Sequence, residues 1–185
     1  PSLAEPGSLA DVFIARCAAA PEAPLYVALD DDGRPASVLT GRALADRAAA
    51  FAARLVEASA PGDRLLLLLP PGLDFVVAFW GCALAGRVAV PVPSLDAARL
   101  KNAAPRLRAI AQDAEAAFVV LPPALAERWA ATDGLPDTPR WVFEPSGAEA
   151  TRDVPVFHSA ASDPDATVYL QYTSGSTRFP RGVEI

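Results

Sequence analysis

Apolar positions along this chain follow two rhythms, one helical and one extended, and the changes between them mark out its elements. Behind Ser8 and Asp11, a capping-box pattern, Leu9, Val12, Phe13, Cys17 and Ala20 recur at helical spacing until Pro21 stops them, which predicts a helix over 9–20. Residues 25–29 and 36–39 are short β-type runs on either side of Asp30-Asp31-Asp32-Gly33, and that turn chemistry predicts a hairpin. Thr40 then caps a long helix ending near Ser59. Leu44, Ala48, Phe51 and Leu55 share one of its faces, while Arg42, Asp46, Arg47, Arg54 and Glu57 fall mostly elsewhere.

Past Pro61-Gly62-Asp63 the pattern changes. Residues 64–69 are Arg followed by five leucines and end at Pro70-Pro71-Gly72, the signature of a strand covered on both faces and hence of parallel sheet. Residues 73–85 carry one charge, Asp74, and predict a buried helix under that sheet; Gly86 ends it and residues 88–93 supply the next strand and its exit. This is a βαβ unit. Pro105 interrupts the charged stretch that follows, so a short helix before Ala103 and a second over 105–113 are expected. Residues 118–121 and 141–143 read as strands and 123–131 as a helix opened by Pro123. Residues 144–167 are polar, Pro-rich and without period, which predicts a surface excursion at about 144–166. The fold class expected is α/β, a mostly parallel sheet with helices on both faces.

The candidate chemistry sits near the end. The β-rich run 168–172 stops at Thr173-Ser174-Gly175-Ser176-Thr177 and returns through Pro180-Arg181-Gly182 to a second strand over 183–185. Gly175 tolerates φ > 0, so successive backbone N–H groups can turn inward around an anion, with hydroxyl donors beside them. Arg181 adds a planar cationic fork suited to phosphate oxygens. The string lacks the glycine and Gly-Lys-Ser/Thr spacing of the P-loop ATPases.

Composition narrows the partners. At 185 residues and 52% hydrophobic content the chain can bury a core, and its net charge of −6 with no basic block excludes nonspecific attraction to nucleic acid or anionic membrane. No apolar run reaches the roughly 20 residues of a spanning helix, and residues 1–7 have no signal-peptide pattern, so a cytoplasmic protein is expected. Cys17 and Cys82 match no metal or redox spacing and are expected as buried thiols. The Asp30–32 triplet is expected to be a solvated turn, Trp80 a core residue, and Arg99, Lys101, Arg106 and Arg108 a solvated helix face. His158, the one histidine, has no nucleophile or acid near it in sequence and is given no catalytic role.

Tyr172-Thr173-Ser174-Gly175-Ser176-Thr177 followed by Pro180-Arg181-Gly182-Val183 resembles the phosphate-binding signature of the adenylate-forming superfamily of acyl-CoA synthetases, peptide-synthetase adenylation domains and luciferases. The Leu170-Gln171 lead-in, and Arg178 where most of the superfamily has glycine, resemble its fatty acyl-AMP ligases. Arg181 stands where lysine is usual, which keeps the charge and alters its geometry. Gly62-Asp63-Arg64-Leu65, Pro70-Pro71-Gly72-Leu73-Asp74-Phe75, Ala89-Val90-Pro91-Val92 and the stretch from Arg106 to Asp113 extend the likeness over nearly the whole chain.

The resemblance implies an N-terminal subdomain, residues 1–185, of a ligase about three times as long, with the magnesium ligand, acyl pocket and catalytic lysine outside it. It implies activation of a fatty acid with ATP and Mg2+ to acyl-AMP, then transfer to an acyl carrier protein. Thr173, Ser174, Gly175, Ser176, Thr177 and Arg181 would bind phosphate; no catalytic or metal-ligating residue is expected among the 185, which alone would be inactive. An acyl-CoA synthetase, an amino-acid adenylation domain and a non-catalytic interaction module remain as alternatives.

Overall fold

The computed structural model describes residues 7–95, 98–143, 165–173 and 181–185, with backbone alone for Thr173 and Arg181. The expected excursion, apart from its last two residues, and His158 lie outside the described residues. The chain divides into two compact units.

The first unit is helical with one hairpin. Helix α1 (Leu9–Ala19) begins at Ser8, whose Oγ accepts from the Asp11 amide at 3.2 Å and donates to the Asp11 carboxylate at 2.9 Å. Strands β1 (Pro24–Leu29) and β2 (Pro35–Thr40) pair antiparallel. Helix α2 (Gly41–Ala58) is capped by Thr40, whose Oγ1 accepts from the Ala43 amide at 3.2 Å. It buries Leu44, Ala48, Phe51 and Leu55, the face its periodicity marks. Helix α3 (Leu73–Leu84), expected beneath the sheet, groups with α1 and α2. Arg47 on α2 reaches Asp74 in the first turn of α3 at 2.6 Å, where a carboxylate also suits the helix dipole.

The second unit is built on a parallel sheet of β3 (Arg64–Leu67), β4 (Val88–Pro91), β5 (Phe118–Leu121) and β6 (Arg140–Val142), in the order β4-β3-β5-β6. β3 is central, in register with Val88 through Pro91 on one side and Phe118 through Val120 on the other. Leu66, Leu68, Val90, Val119 and Leu121 form one core with helices α4 (Leu100–Asp113) and α5 (Pro123–Trp129). Leu65, Leu67, Ala89 and Val120 on the alternate face have no solvent exposure either. A strand closed on both faces needs no polar alternation, and its sequence has none.

One expectation fails at Pro105. The structure has a single helix, α4, running through the proline rather than two helices meeting at it. A proline inside a helix costs about 3 kcal/mol. Burying Leu100, Leu107 and Ile110 on one stripe returns about 1.5–3 kcal/mol each, which outweighs it. The cost is also softened, because Lys101, whose carbonyl loses its partner, and Pro105 itself are both exposed.

Candidate functional site

The strand entering the phosphate-type sequence is β7 (Leu170–Thr173), and β8 (Arg181–Glu184) returns beside it as an antiparallel hairpin, as the sequence implies. Alternation sets its faces: Leu170 is buried in the core of the second unit and Tyr172 packs against that core, whereas Gln171 is exposed. Upstream, Tyr169 makes a parallel bridge to Ala89, and the Ala89 amide donates to the Val168 carbonyl at 3.0 Å, which fixes the hairpin beside β4. Ile185 closes the open end, its amide donating to the Tyr169 carbonyl at 3.0 Å and its carbonyl accepting from Val168 at 2.8 Å.

Register then brings the flanks of the motif together. Tyr172 lies opposite Gly182, and Thr173 opposite Arg181. Ladder partners of an antiparallel pair have Cα atoms about 4.5–5.5 Å apart, so the first hydroxyl residue of the signature and its arginine stand at matched positions on adjoining strands. Ser174, Gly175, Ser176 and Thr177 lie outside the described residues.

Tyr172 holds β7 one residue before Thr173. Its hydroxyl donates to Asp113 Oδ2 at 2.6 Å, linking β7 to the last residue of α4. Burial, and then the hydrogen bond and charge of Asp113, push the phenol above its ordinary range; the charge of Arg64 acts the other way. Gly182 leaves the ring its space, since a Cβ there would stand 3.0 Å from Cζ and 3.1 Å from the hydroxyl oxygen. Arg64 pairs with Glu115 at 3.2 Å just beyond the end of α4. Sequence reasoning missed this tether. Tyr172 and Asp113 both fall in stretches that carry the resemblance, but no periodicity joins residues 59 apart.

Most of the other sequence candidates take the bland roles expected of them, but Trp80, expected in the core, is only half-buried. Cys17 and Cys82 are buried and free, and burial raises the Cys17 thiol. Asp30 Oδ1 accepts from the amides of Asp32 at 3.0 Å and Arg34 at 2.8 Å, so the acidic triplet is a turn. Trp80 stacks on Phe13 with ring centroids 4.4 Å apart and donates to the Tyr26 hydroxyl at 3.2 Å. Arg99, Lys101, Arg106 and Arg108 are exposed. No helix among the described residues is long and apolar enough to cross a membrane. Nor do three metal-ligating side chains converge among them.

A family model described as AMP-binding enzyme matches residues 13–185. The chain belongs to the AMP-binding enzyme family. A medium-chain-fatty-acid–[acyl-carrier-protein] ligase, JamA of Moorena producens, is 34% identical over 165 residues, covering 85% of this chain and 27% of that protein. A long-chain-fatty-acid–AMP ligase, FadD32 of Mycolicibacterium smegmatis, is 39% identical over 170 residues, covering 83% of this chain and 24% of that protein. The fatty acyl-adenylate ligase of L. pneumophila, solved with acyl adenylate and pyrophosphate, superposes with a TM-score of 0.74 at 29% identity, over 98% of this chain and 30% of that one. The chain thus spans about a quarter of the length of these curated AMP-binding relatives.

Proposed function

We propose that this chain supplies the phosphate-holding hairpin of a fatty acyl-AMP ligase, which activates a fatty acid with ATP and passes the acyl group to an acyl carrier protein. The observation that carries the reading is the β7–β8 register, which pairs Thr173 with Arg181 across the two ends of the hydroxyl-rich sequence. The likeness to ligases named for fatty acids supports the substrate class, and the carrier named for JamA supports the acceptor.

In the proposed reaction a carboxylate oxygen of the fatty acid forms a bond to the α-phosphorus as the bond from that phosphorus to the pyrophosphate oxygen breaks. Acyl-AMP and pyrophosphate result, and the carrier thiol then forms a thioester, losing its proton as AMP leaves. The role of these residues is positioning and charge neutralisation at a phosphorus centre. Backbone amides across 174–177 and the hydroxyls of Thr173, Ser174, Ser176 and Thr177 donate to the β- and γ-phosphate oxygens. Gly175 permits the turn, and Arg181 balances charge. None of them removes a proton. Mg2+, when bound, would neutralise the same phosphates through ligands elsewhere in the ligase.

The test is pyrophosphate exchange driven by fatty acid in the full-length protein that contains this sequence. Arg181→Ala is expected to lower kcat/KM for ATP by about 100-fold, and Arg181→Lys to keep most of it. Absence of exchange with every fatty acid, or an unchanged Arg181→Ala, overturns the reading. A chain also matching, at 36% identity, a relative named as a putative fatty-acid–CoA ligase makes the acceptor worth separating. Product on a phosphopantetheinylated carrier protein and none on free CoA is expected.

A further inference from the structure

Tyr172 has more polar attachment than its place in the strand requires. Its ring packs on the core of the second unit, its hydroxyl donates to Asp113 Oδ2 at 2.6 Å, and its strand partner is a glycine whose hydrogen faces the ring. Asp113 is itself fixed, as the C-terminal residue of a 14-residue helix whose buried stripe anchors it to the sheet. Nearby, Arg64 is held by Glu115, the residue two beyond Asp113. The chain therefore has a rigid post, the end of α4, from which one side chain reaches the strand that enters the phosphate-type sequence. The next residue after Tyr172 is Thr173.

We propose that Tyr172 and Asp113 form a positioning pair that sets the height of the β7–β8 hairpin, and with it the approach of Thr173 and Arg181 to the triphosphate of ATP. The role in catalysis rests on the function proposed above; the tether itself does not. In this proposal the pair acts through where the strand ends stand, not through a contact of its own with nucleotide or fatty acid. Hydrogen bonds to a charged acceptor are the stronger kind, and one made just before Thr173 is already in place before the nucleotide binds, so the bound geometry needs no reordering when ATP arrives.

Two readouts on the full-length protein decide this. In Tyr172→Phe and in Asp113→Ala, amide exchange at Thr173 and Arg181 is expected to quicken by about tenfold, the size of one lost charge-assisted bond, while amides of β3 and β5 stay as they were. The KM for ATP in pyrophosphate exchange is expected to rise by a similar factor, with the KM for fatty acid changing less than about twofold. Asp113→Asn keeps an acceptor and is expected to restore most of both. The double variant is expected to be no worse than either single one, because both remove the same bond. Unchanged amide exchange overturns the tether. Quickened exchange with an unchanged KM for ATP, or additive losses in the double variant, overturns the positioning role. A protein with no ATP-dependent exchange at all defeats the function proposed above, and the amide measurement still decides the tether.

Discussion

Among the described residues there are two antiparallel hairpins, and they are held in opposite ways. In β1–β2 the turn is closed from within: Asp30 Oδ1 takes the amides of Asp32 and Arg34, Gly33 sits at φ +77°, and Arg34 pairs with Asp32 at the surface. In β7–β8 the bonds reach outward, to other elements of the second unit. Tyr172 is bonded to Asp113 on α4, Tyr169 is bridged to β4, and Ile185 closes the ladder. A hairpin that needs only to turn can keep its constraints at the tip. One proposed to meet a ligand is held along its strands by bonds to other elements of its unit.

The contrast can be broken most sharply at Gly182. A Cβ there stands 3.0 Å from Tyr172 Cζ, and the ring cannot give way without leaving Asp113. Gly182→Ala is expected to cost about 1–3 kcal/mol in urea denaturation, and less in a Tyr172→Ala background, where there is no ring to displace. A similar cost in both backgrounds would show that the ring is not what fills the space.

The next largest effect is expected at Gly33. Alanine at its positive φ costs about 1–2 kcal/mol, confined to the first unit and leaving amide exchange in β7–β8 untouched. Asp30→Ala removes the acceptor of two turn amides and is expected to cost about 1 kcal/mol, as loss of a helix cap does. High pH separates the hairpins by charge. The Tyr172 phenol is held above its ordinary value in the fold, so its contribution is fully present at neutral pH and is lost as pH rises past about 10, where the unfolded chain gives up the proton first. Denaturation midpoints between roughly pH 9 and 11 are expected to fall more steeply in the native sequence than in Tyr172→Phe. Smallest of all is Arg34→Ala: its pair with Asp32 is exposed, with 72% and 69% of the side-chain surfaces open to water, and a change within about 0.5 kcal/mol is expected.

The same contrast explains what the sequence disclosed. The β1–β2 turn was legible because every interaction that makes it falls within five residues. Ser8, Thr40 and the apolar face of α2 were legible for the same reason: capping and period are local. α4 was misread because Pro105 is a strong local signal, while the burial of Leu100, Leu107 and Ile110 that overrides it is tertiary. The strand order β4-β3-β5-β6 was out of reach, since parallel neighbours are joined by crossovers that leave no mark in the strands. At the site, the hairpin and its two strands were readable from the runs on either side of the motif. The Tyr172–Asp113 bond was not, because nothing in either residue's neighbourhood announces a partner 59 positions away.

The placement of β3 also bears on how the polypeptide is made. It is the earliest strand of its sheet in the chain, yet both strands that cover its edges lie downstream, at Val88–Pro91 and Phe118–Leu121. While the ribosome is still working through those residues, five consecutive leucines carry two open rows of amides and carbonyls, a template for sticking to another nascent copy. Translation products stopped between residues 70 and 117 should therefore be insoluble, and solubility should recover only once residue 142 has been added and β6 covers the edge that β5 leaves open.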